Sequence, residues 1–455
     1  MRILHFADLH LGVENYGRLE AARGLHSRVL DFLRALDFIV ETAIAREVDL
    51  VLFCGDAFRG REPSPTLQCL FAERIKRIAD AQIPVLLLVG NHDLPPLPGR
   101  RSALEIYPIL DVPGVEVVST AGLRRIETPS GLLQVACLPA QGSAFRVQSS
   151  EPARHSLLSC EASAKRDGDG GFSVQGSAEE NAVARLVEEM AGQVEQDGPA
   201  ILAGHVSIEG ARVGTEGIMT VGREVMLPRE ALLHPEFCYV ALGHVHRFQD
   251  LNPGGPPPLV YCGSPERVDF SEEQEAKGVV LVEIESQSRG LALSDLSRAK
   301  PREAEGSRVE SQRPKRPGPK TPDSGLSTHY DFIPTPARKF LTIAVDLTAE
   351  SSTVDVLEAI EKAQIDDAVV KVILRSREEM AVDEREIRRA LGKAYFATPL
   401  VREIEKPAAR LRAPGLARGW DEPLAALEEY LKTTRFSEER KARLRKAAEK
   451  LAGEL

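Results

Sequence analysis

Five apolar runs, each followed at once by a short polar motif, constrain this chain more than any other feature. Ile3-Leu4-His5-Phe6 leads to Asp8-Leu9-His10, Leu50-Val51-Leu52-Phe53 to Gly55-Asp56, and Val85-Leu86-Leu87-Leu88-Val89 to Gly90-Asn91-His92-Asp93. Ile201-Leu202-Ala203 leads to Gly204-His205, and Tyr239-Val240-Ala241-Leu242 to Gly243-His244-Val245-His246. Runs of this length that end in a turn read as buried strands. An α/β sheet collects strand-end side chains along one edge, where such proteins build their sites. Of ten histidines, five (His10, His92, His205, His244 and His246) fall inside these motifs.

At 455 residues the length suits two or three domains. A hydrophobic content of 43% and a charged content of 28% are those of an ordinary globular protein. No apolar stretch approaches the ~18 residues that cross a bilayer. The N-terminus enters a strand at once, with no signal-peptide pattern, so the expected compartment is the cytoplasm. The six cysteines lack zinc-type spacing, and Cys54, Cys137 and Cys262, beside apolar strands, read as core thiols. A net charge of −10 lends no support of its own to nucleic-acid binding. Nor does it exclude it, because local charge decides and metal ions offset acidic ligands.

Strand and helix alternate through the first 140 residues, with amphipathic stretches at Arg28–Arg46 and Thr66–Ala81. The expected core domain is 1–297, interrupted at about 141–178 by an insertion rich in Gly, Ser and charge. Residues 298–327 hold five prolines and few large apolar side chains, which reads as a disordered basic linker. Either it is simply solvated or it tethers nucleic acid. Residues 328–414 carry a small βαβα pattern. Residues 415–455 carry two helices capped by Asp421 and Ser437, which either pack internally or offer a groove-type interface to a partner.

Asp8, His10, Asp56, Asn91, His205, His244 and His246 form one set of carboxylate, amide and imidazole donors. Mixed oxygen and nitrogen ligands without thiolate suit Mn, Fe or Zn. Seven donors exceed one ion's needs and suit two, with one carboxylate shared. Such a pair, ~3.5–4 Å apart, activates water for in-line phosphoryl displacement. Gly55, Gly90, Gly204 and Gly243 let the chain turn tightly out of each strand. Singly, each motif has a bland reading: Gly90–Asp93, for instance, also suits a helix-capping turn. Their combination at five strand ends outweighs those readings.

This order of motifs resembles that of the calcineurin-like metallophosphoesterases. Within them, the chain is similar to the SbcD-type nuclease subunits of double-strand-break repair. The resemblance rests on Ile3–Gly12, Val48–Ser64, Ile83–Asp93, Tyr239–His246, Tyr261–Phe270 with Lys277-Gly278, and Phe332–Phe340. It implies an α/β fold, a four-layer αββα sandwich with a small α/β DNA-capping domain and a C-terminal helical hairpin that docks on an SbcC-like SMC-type ATPase. It implies two divalent ions, Mn²⁺ foremost. Asp8, His10, Asp56 and His246 would hold one; Asp56, Asn91, His205 and His244 would hold the other. His92 would donate a proton or position the phosphodiester. DNA as substrate and a homodimer within a heterotetramer follow from the same resemblance.

Arg59 stands where many relatives have His or Asp. Either it is a cationic clamp on the phosphate or a surface residue without a role. Arg388, Arg389, Arg410 and Arg412 are candidate DNA contacts, with a solvated charged face as the alternative. Two other functions compete: a stand-alone phosphodiesterase for nucleotides or phosphoproteins, and a non-catalytic DNA-end tether.

Overall fold

Successive side chains of a strand face opposite sides, and the first strand already divides the molecule into layers. In β1 (Arg2–Phe6), Ile3 joins one buried cluster while Leu4 and Phe6 join another. The computed structural model describes residues 1–95, 100–140, 178–214, 226–286, 326–348, 350–378, 380–404, 427–428, 431–432 and 436–453. The expected insertion, all but its last residue, and nearly all of the expected linker lie outside the described residues.

After β1 come α1 (Ser27–Ala45), β2 (Leu50–Phe53), α2 (Pro65–Asp80), β3 (Val85–Leu88), β4 (Val115–Val118), β5 (Gly122–Thr128) and β6 (Gly131–Leu138). Then follow α3 (Ala178–Ala191), β7 (Ala200–His205), β8 (Tyr239–Gly243), β9 (Gln249–Asp250), β10 (Leu259–Tyr261), β11 (Gly278–Ser286) and β12 (Leu326–Pro334). They build two six-stranded sheets, ordered β12-β11-β1-β2-β3-β4 and β9-β10-β8-β7-β6-β5. β1 to β4 run parallel, as do β6, β7, β8 and β10.

The core lies in three seams. Between the sheets, Ile3, Leu52 and Leu86 share a cluster with Val135, Ile201 and Ala241. Outside the first sheet, Leu4, Phe6 and Val51 pack with Val29, Phe32 and Ile39 of α1 and Phe71 and Ile75 of α2. Outside the second, Leu138, Leu202 and Leu242 pack with Val183, Val187 and Met190 of α3. This is the helix–sheet–sheet–helix sandwich that the resemblance to the metallophosphoesterases implies. Each fully buried Val, Leu, Ile, Phe or Met side chain among them stabilises the fold by about 1.5–3 kcal/mol. Ser64 accepts from the Leu67 N–H, and Pro65 opens α2 where its missing N–H costs nothing.

A buried ion cluster anchors the chain just after β12. Arg28 donates to Asp31 (2.6 Å), Arg338 donates through Nε to the same carboxylate (3.1 Å), and the Arg338 N–H donates to Glu266 (2.8 Å). Arg28, Asp31, Glu266 and Arg338 are all buried. Two of the recognisable segments, Tyr261–Phe270 and Phe332–Phe340, therefore meet α1 through charge.

Thr342–Gln364, Lys371–Gly392 and Thr398–Leu455 form a second compact unit, while Ile365–Val370 and Lys393–Ala397 belong to the first. In the second unit α4 (Thr353–Lys362) opens on a capping box of Ser352 and Asp355. α5 (Glu384–Ala390) is capped by Asp383, and α6 spans Glu438–Gly453. The Arg440 N–H lies 3.4 Å from Ser437 Oγ, the expected cap of the last helix. No helix among the described residues is long and apolar enough to cross a membrane. Cys54, Cys137, Cys238 and Cys262 are buried thiols and Cys69 is exposed.

Candidate metal centre

Parallel strands bring their C-terminal ends to a common edge, and there the loops after β1 and β2 zip together. The Asp8 N–H donates to the Gly55 carbonyl (2.9 Å) and the His10 N–H to that of Asp56 (3.0 Å). Nine described non-glycine residues have positive φ, and four of them are candidate ligands: Asp8 (54°), His10 (46°), Asp56 (63°) and His244 (96°). Each costs of order 1–3 kcal/mol and persists where the surroundings over-determine it. Strain is thus concentrated where these side chains turn inward.

Gly55 has φ +95°, and a Cβ there would lie 2.4 Å from His205 Nδ1. Gly90 needs its identity for room instead: a Cβ would sit 2.2 Å from Asp56 Oδ1. The expectation that glycines serve tight turns is therefore only part of the reason. They also let backbone approach the carboxylate and imidazole.

All seven expected donors come together. Asp56 Oδ2 lies 3.4 Å from His205 Nε2 and 3.7 Å from His10 Nε2, so one oxygen faces both halves of the set. Asn91 Oδ1 lies 2.8 Å from His205 Nε2 and 3.1 Å from His244 Nδ1. His10 Nε2 and His246 Nε2 face one another at 2.9 Å. Asp8 accepts from the His244 N–H at 3.0 Å. Asp8, His10, Asp56, His205, His244 and His246 are all buried.

Among the described residues, three groups have ligand atoms within 4.8 Å of one another: Asp8, His10 and His246; Asp8, Asp56 and His205; His10, Asp56 and His92. Buried imidazole nitrogens and carboxylate oxygens packed this closely are costly unless a cation or proton lies among them. The donor chemistry fits two hard or borderline divalent ions.

The electrostatics agree. Burial opposes a charge on His205, but the Asp56 carboxylate outweighs it and raises the imidazole to about 9. Burial likewise opposes ionisation of Asp56, yet His205 and His10 hold it far below the usual carboxylate range. Burial keeps His10 well below the ordinary imidazole value. A proton on His205 thus takes the place of positive charge beside Asp56.

His92 and Arg59 line the same cleft, with His10, Asn15, Asp56 and Asn91. His92 Nδ1 lies 2.8 Å from the Arg59 carbonyl, and its backbone N–H donates to Asp56 Oδ1 (2.8 Å). Arg59 is exposed. Arg388 and Arg389 are exposed on α5, with Arg388 paired to Glu384 (3.3 Å). Arg410 and Arg412 lie outside the described residues.

Three participants were not anticipated. Asp93 accepts the N–H groups of Asp56 (2.9 Å), Ala57 (3.0 Å), Phe58 (3.4 Å) and Gly90 (3.1 Å), tying two strand-end loops together. Burial and the Asp56 charge push it up to about 7, against the Gly90 and Ala57 N–H donors. Glu272 and Lys277 lie buried beneath His246. Burial opposes the Glu272 charge, but Lys277 and His246 hold the carboxyl down to about 2. Lys277 carried a sequence signal through the recognisable Lys277-Gly278 pair, whereas Glu272 lies between that pair and Tyr261–Phe270 and carried none.

The calcineurin-like phosphoesterase family model matches residues 1–248. The chain belongs to that family. Among curated proteins it is similar to the SbcD component of the SbcCD nuclease of Bacillus subtilis (strain 168), 30% identical over 289 residues, which covers 62% of this chain and 66% of the relative. The protein of the same name from Escherichia coli (strain K12) is 26% identical over 292 residues, covering 62% and 64%. "DNA double-strand break repair protein Mre11" of Aeropyrum pernix is 38% identical over 96 residues, 21% of each chain. The chain spans somewhat under two thirds of the length of the two SbcCD relatives.

Proposed function

We propose that the chain is a metal-dependent DNA nuclease, exonucleolytic or endonucleolytic on double-strand ends or hairpins, that works in DNA repair with an SbcC-like ATPase. The observation that carries this reading is the gathering of all seven donors around Asp56, six of them buried and Asn91 half-buried, in a chain similar to SbcD nucleases. Asp8, His10, Asp56 and His246 are the proposed holders of one ion, and Asp56, Asn91, His205 and His244 of the other. When bound, two divalent ions, Mn²⁺ in this proposal, supply a low-pKa water and Lewis-acid stabilisation of phosphoryl oxygens.

The chain's own residues do the rest. His92 donates its Nδ1 proton to the Arg59 carbonyl, which leaves Nε2 for the cleft, and as the imidazolium the ring gives its Nε2 proton to the leaving oxygen. Arg59, on the cleft wall, neutralises phosphate charge. The Arg59 carbonyl and the tie of the His92 backbone N–H to Asp56 fix His92 before substrate arrives, so little reorganisation of that ring accompanies reaction.

In the same proposal residues 1–297 are the nuclease core and 298–327 a basic linker. Residues 328–414 cap DNA, with Arg388, Arg389, Arg410 and Arg412 on its backbone, and 415–455 dock on the ATPase. The assembly is a homodimer within a heterotetramer, in the cytoplasm. A non-catalytic tether needs no intact donor set, and a small-substrate phosphodiesterase needs no appended unit. With Mn²⁺, the full chain is expected to cut linear duplex or hairpin DNA. Hydrolysis of bis-p-nitrophenyl phosphate with no DNA cleavage, even with the cognate ATPase present, would assign the stand-alone phosphodiesterase instead.

A further inference from the structure

His246 is held from two directions. Its Nδ1 lies 2.7 Å from Glu272 Oε1, and its backbone carbonyl accepts from Lys277 Nζ at 3.1 Å. Glu272 is itself fixed: Oε2 accepts the Val268 N–H (2.9 Å) and pairs with Lys277 Nζ (2.9 Å). Lys277 also donates to Ser264 Oγ (2.9 Å) and Glu275 (2.9 Å), so three ammonium protons are shared among four acceptors around one point. Glu272 and Lys277 are buried with His246.

Local sequence explains the placement. Asp269 caps the short turn Phe270–Glu272 by accepting the Ser271 N–H (2.7 Å). That turn carries Glu272 inward while Ser271 stays exposed. A carboxylate is an acceptor only, so the His246 Nδ1 opposite it carries the proton. The Nε2 lone pair is then committed to the side where His10 Nε2 stands, 2.9 Å away.

We infer that Glu272 is a positioning residue for the ion held by Asp8, His10 and His246, fixing the tautomer and ring orientation of His246, with Lys277 as its anchor. The inference rests on the metal-binding reading above. Carboxylate partners of ligating imidazoles typically contribute 10–100-fold to metal affinity. The other half of the site is oriented differently: His205 Nδ1 faces the Cys54 carbonyl at 2.7 Å. Glu272 therefore acts on one ion and not on both.

Glu266 supplies the control. It lies in the same segment and is equally buried, but it accepts from Arg338 and Arg267 backbone N–H groups and pairs with Arg28.

The test titrates Mn²⁺ into metal-stripped full-length wild type, Glu272→Gln, Lys277→Met and Glu266→Gln, followed calorimetrically, with ¹⁵N-histidine spectra of the metal-free proteins. Glu272→Gln is expected to weaken one of two binding events by about 10–100-fold and leave the other unchanged. It also shifts the His246 ring signals toward a mixture of tautomers. Lys277→Met is expected to move the same event, and Glu266→Gln neither. Two wild-type-like events in Glu272→Gln overturn the inference, as do equal losses at both events or an unchanged tautomer. A wild type that binds no Mn²⁺ overturns instead the metal-binding reading on which it stands.

Discussion

Asp56→Ala is expected to lose both metal ions, and with them more than about 10³-fold in cleavage, roughly 4 kcal/mol of transition-state stabilisation. One oxygen of Asp56 faces His10 and His205 at once, so its removal strips a ligand from each half of the donor set. Metal analysis of the purified variant, beside a nuclease assay, checks both halves of this expectation. The proton linkage of the wild type is a separate check on the pair that Asp56 forms. In metal-free wild type, Asp56 holds His205 protonated up to about pH 9. An ion must displace that proton, so affinity rises about tenfold per pH unit below pH 9 and levels above it. Calorimetric titration of the wild type with Mn²⁺ across that range measures the slope, and an affinity that does not change with pH would contradict it.

Asp93→Ala is expected to lower metal-free stability by about 3–5 kcal/mol, at the severe end for a point mutation. The carboxylate accepts four backbone N–H groups, from Asp56, Ala57, Phe58 and Gly90, in a buried place. Each orphaned donor costs ~1–3 kcal/mol before relaxation and water entry reduce the sum. Asp93→Asn keeps an acceptor oxygen but turns two N–H groups toward donors, and should recover only part of the loss. Chemical denaturation of the three proteins with chelator present measures both values. Near-equal midpoints for Asp93→Ala and wild type would remove Asp93 from the loop scaffold.

The α/β sheet was legible because its parallel strands are short apolar runs that stop at polar turns, whereas its doubling into a four-layer sandwich followed only from the resemblance to the metallophosphoesterases. What could not be read was which seam each side chain enters. Leu50 and Val51 look alike in sequence, yet Leu50 lies between the sheets and Val51 against the helices. Strands buried on both faces carry no alternation to separate the two. The seven donors were legible for a related reason, since histidine and aspartate at the ends of such runs are conspicuous.

Their supports were not. Asp93 looked like the end of a capping turn, and its partners are backbone groups 35–37 residues earlier as well as Gly90. Glu272 stands in a run with Glu273 and Glu275, and composition cannot say which carboxylate turns inward. Only the Asp269-capped turn decides it. The role of the glycines was half legible: Gly55 fits a turn, whereas the crowding at Gly90 arises from Asp56, 34 positions away.

Metal content and cleavage of His92→Ala test the central claim most directly. One nitrogen of His92 lies within ligand range of His10 and Asp56, while its Nδ1 meets the Arg59 carbonyl. In the proposed mechanism His92 acts on substrate rather than on metal. The variant is therefore expected to keep two Mn²⁺ ions per chain and to cut duplex DNA about 10²–10⁴-fold more slowly than wild type. Loss of an ion in His92→Ala, or cleavage at the wild-type rate with both ions bound, would contradict it.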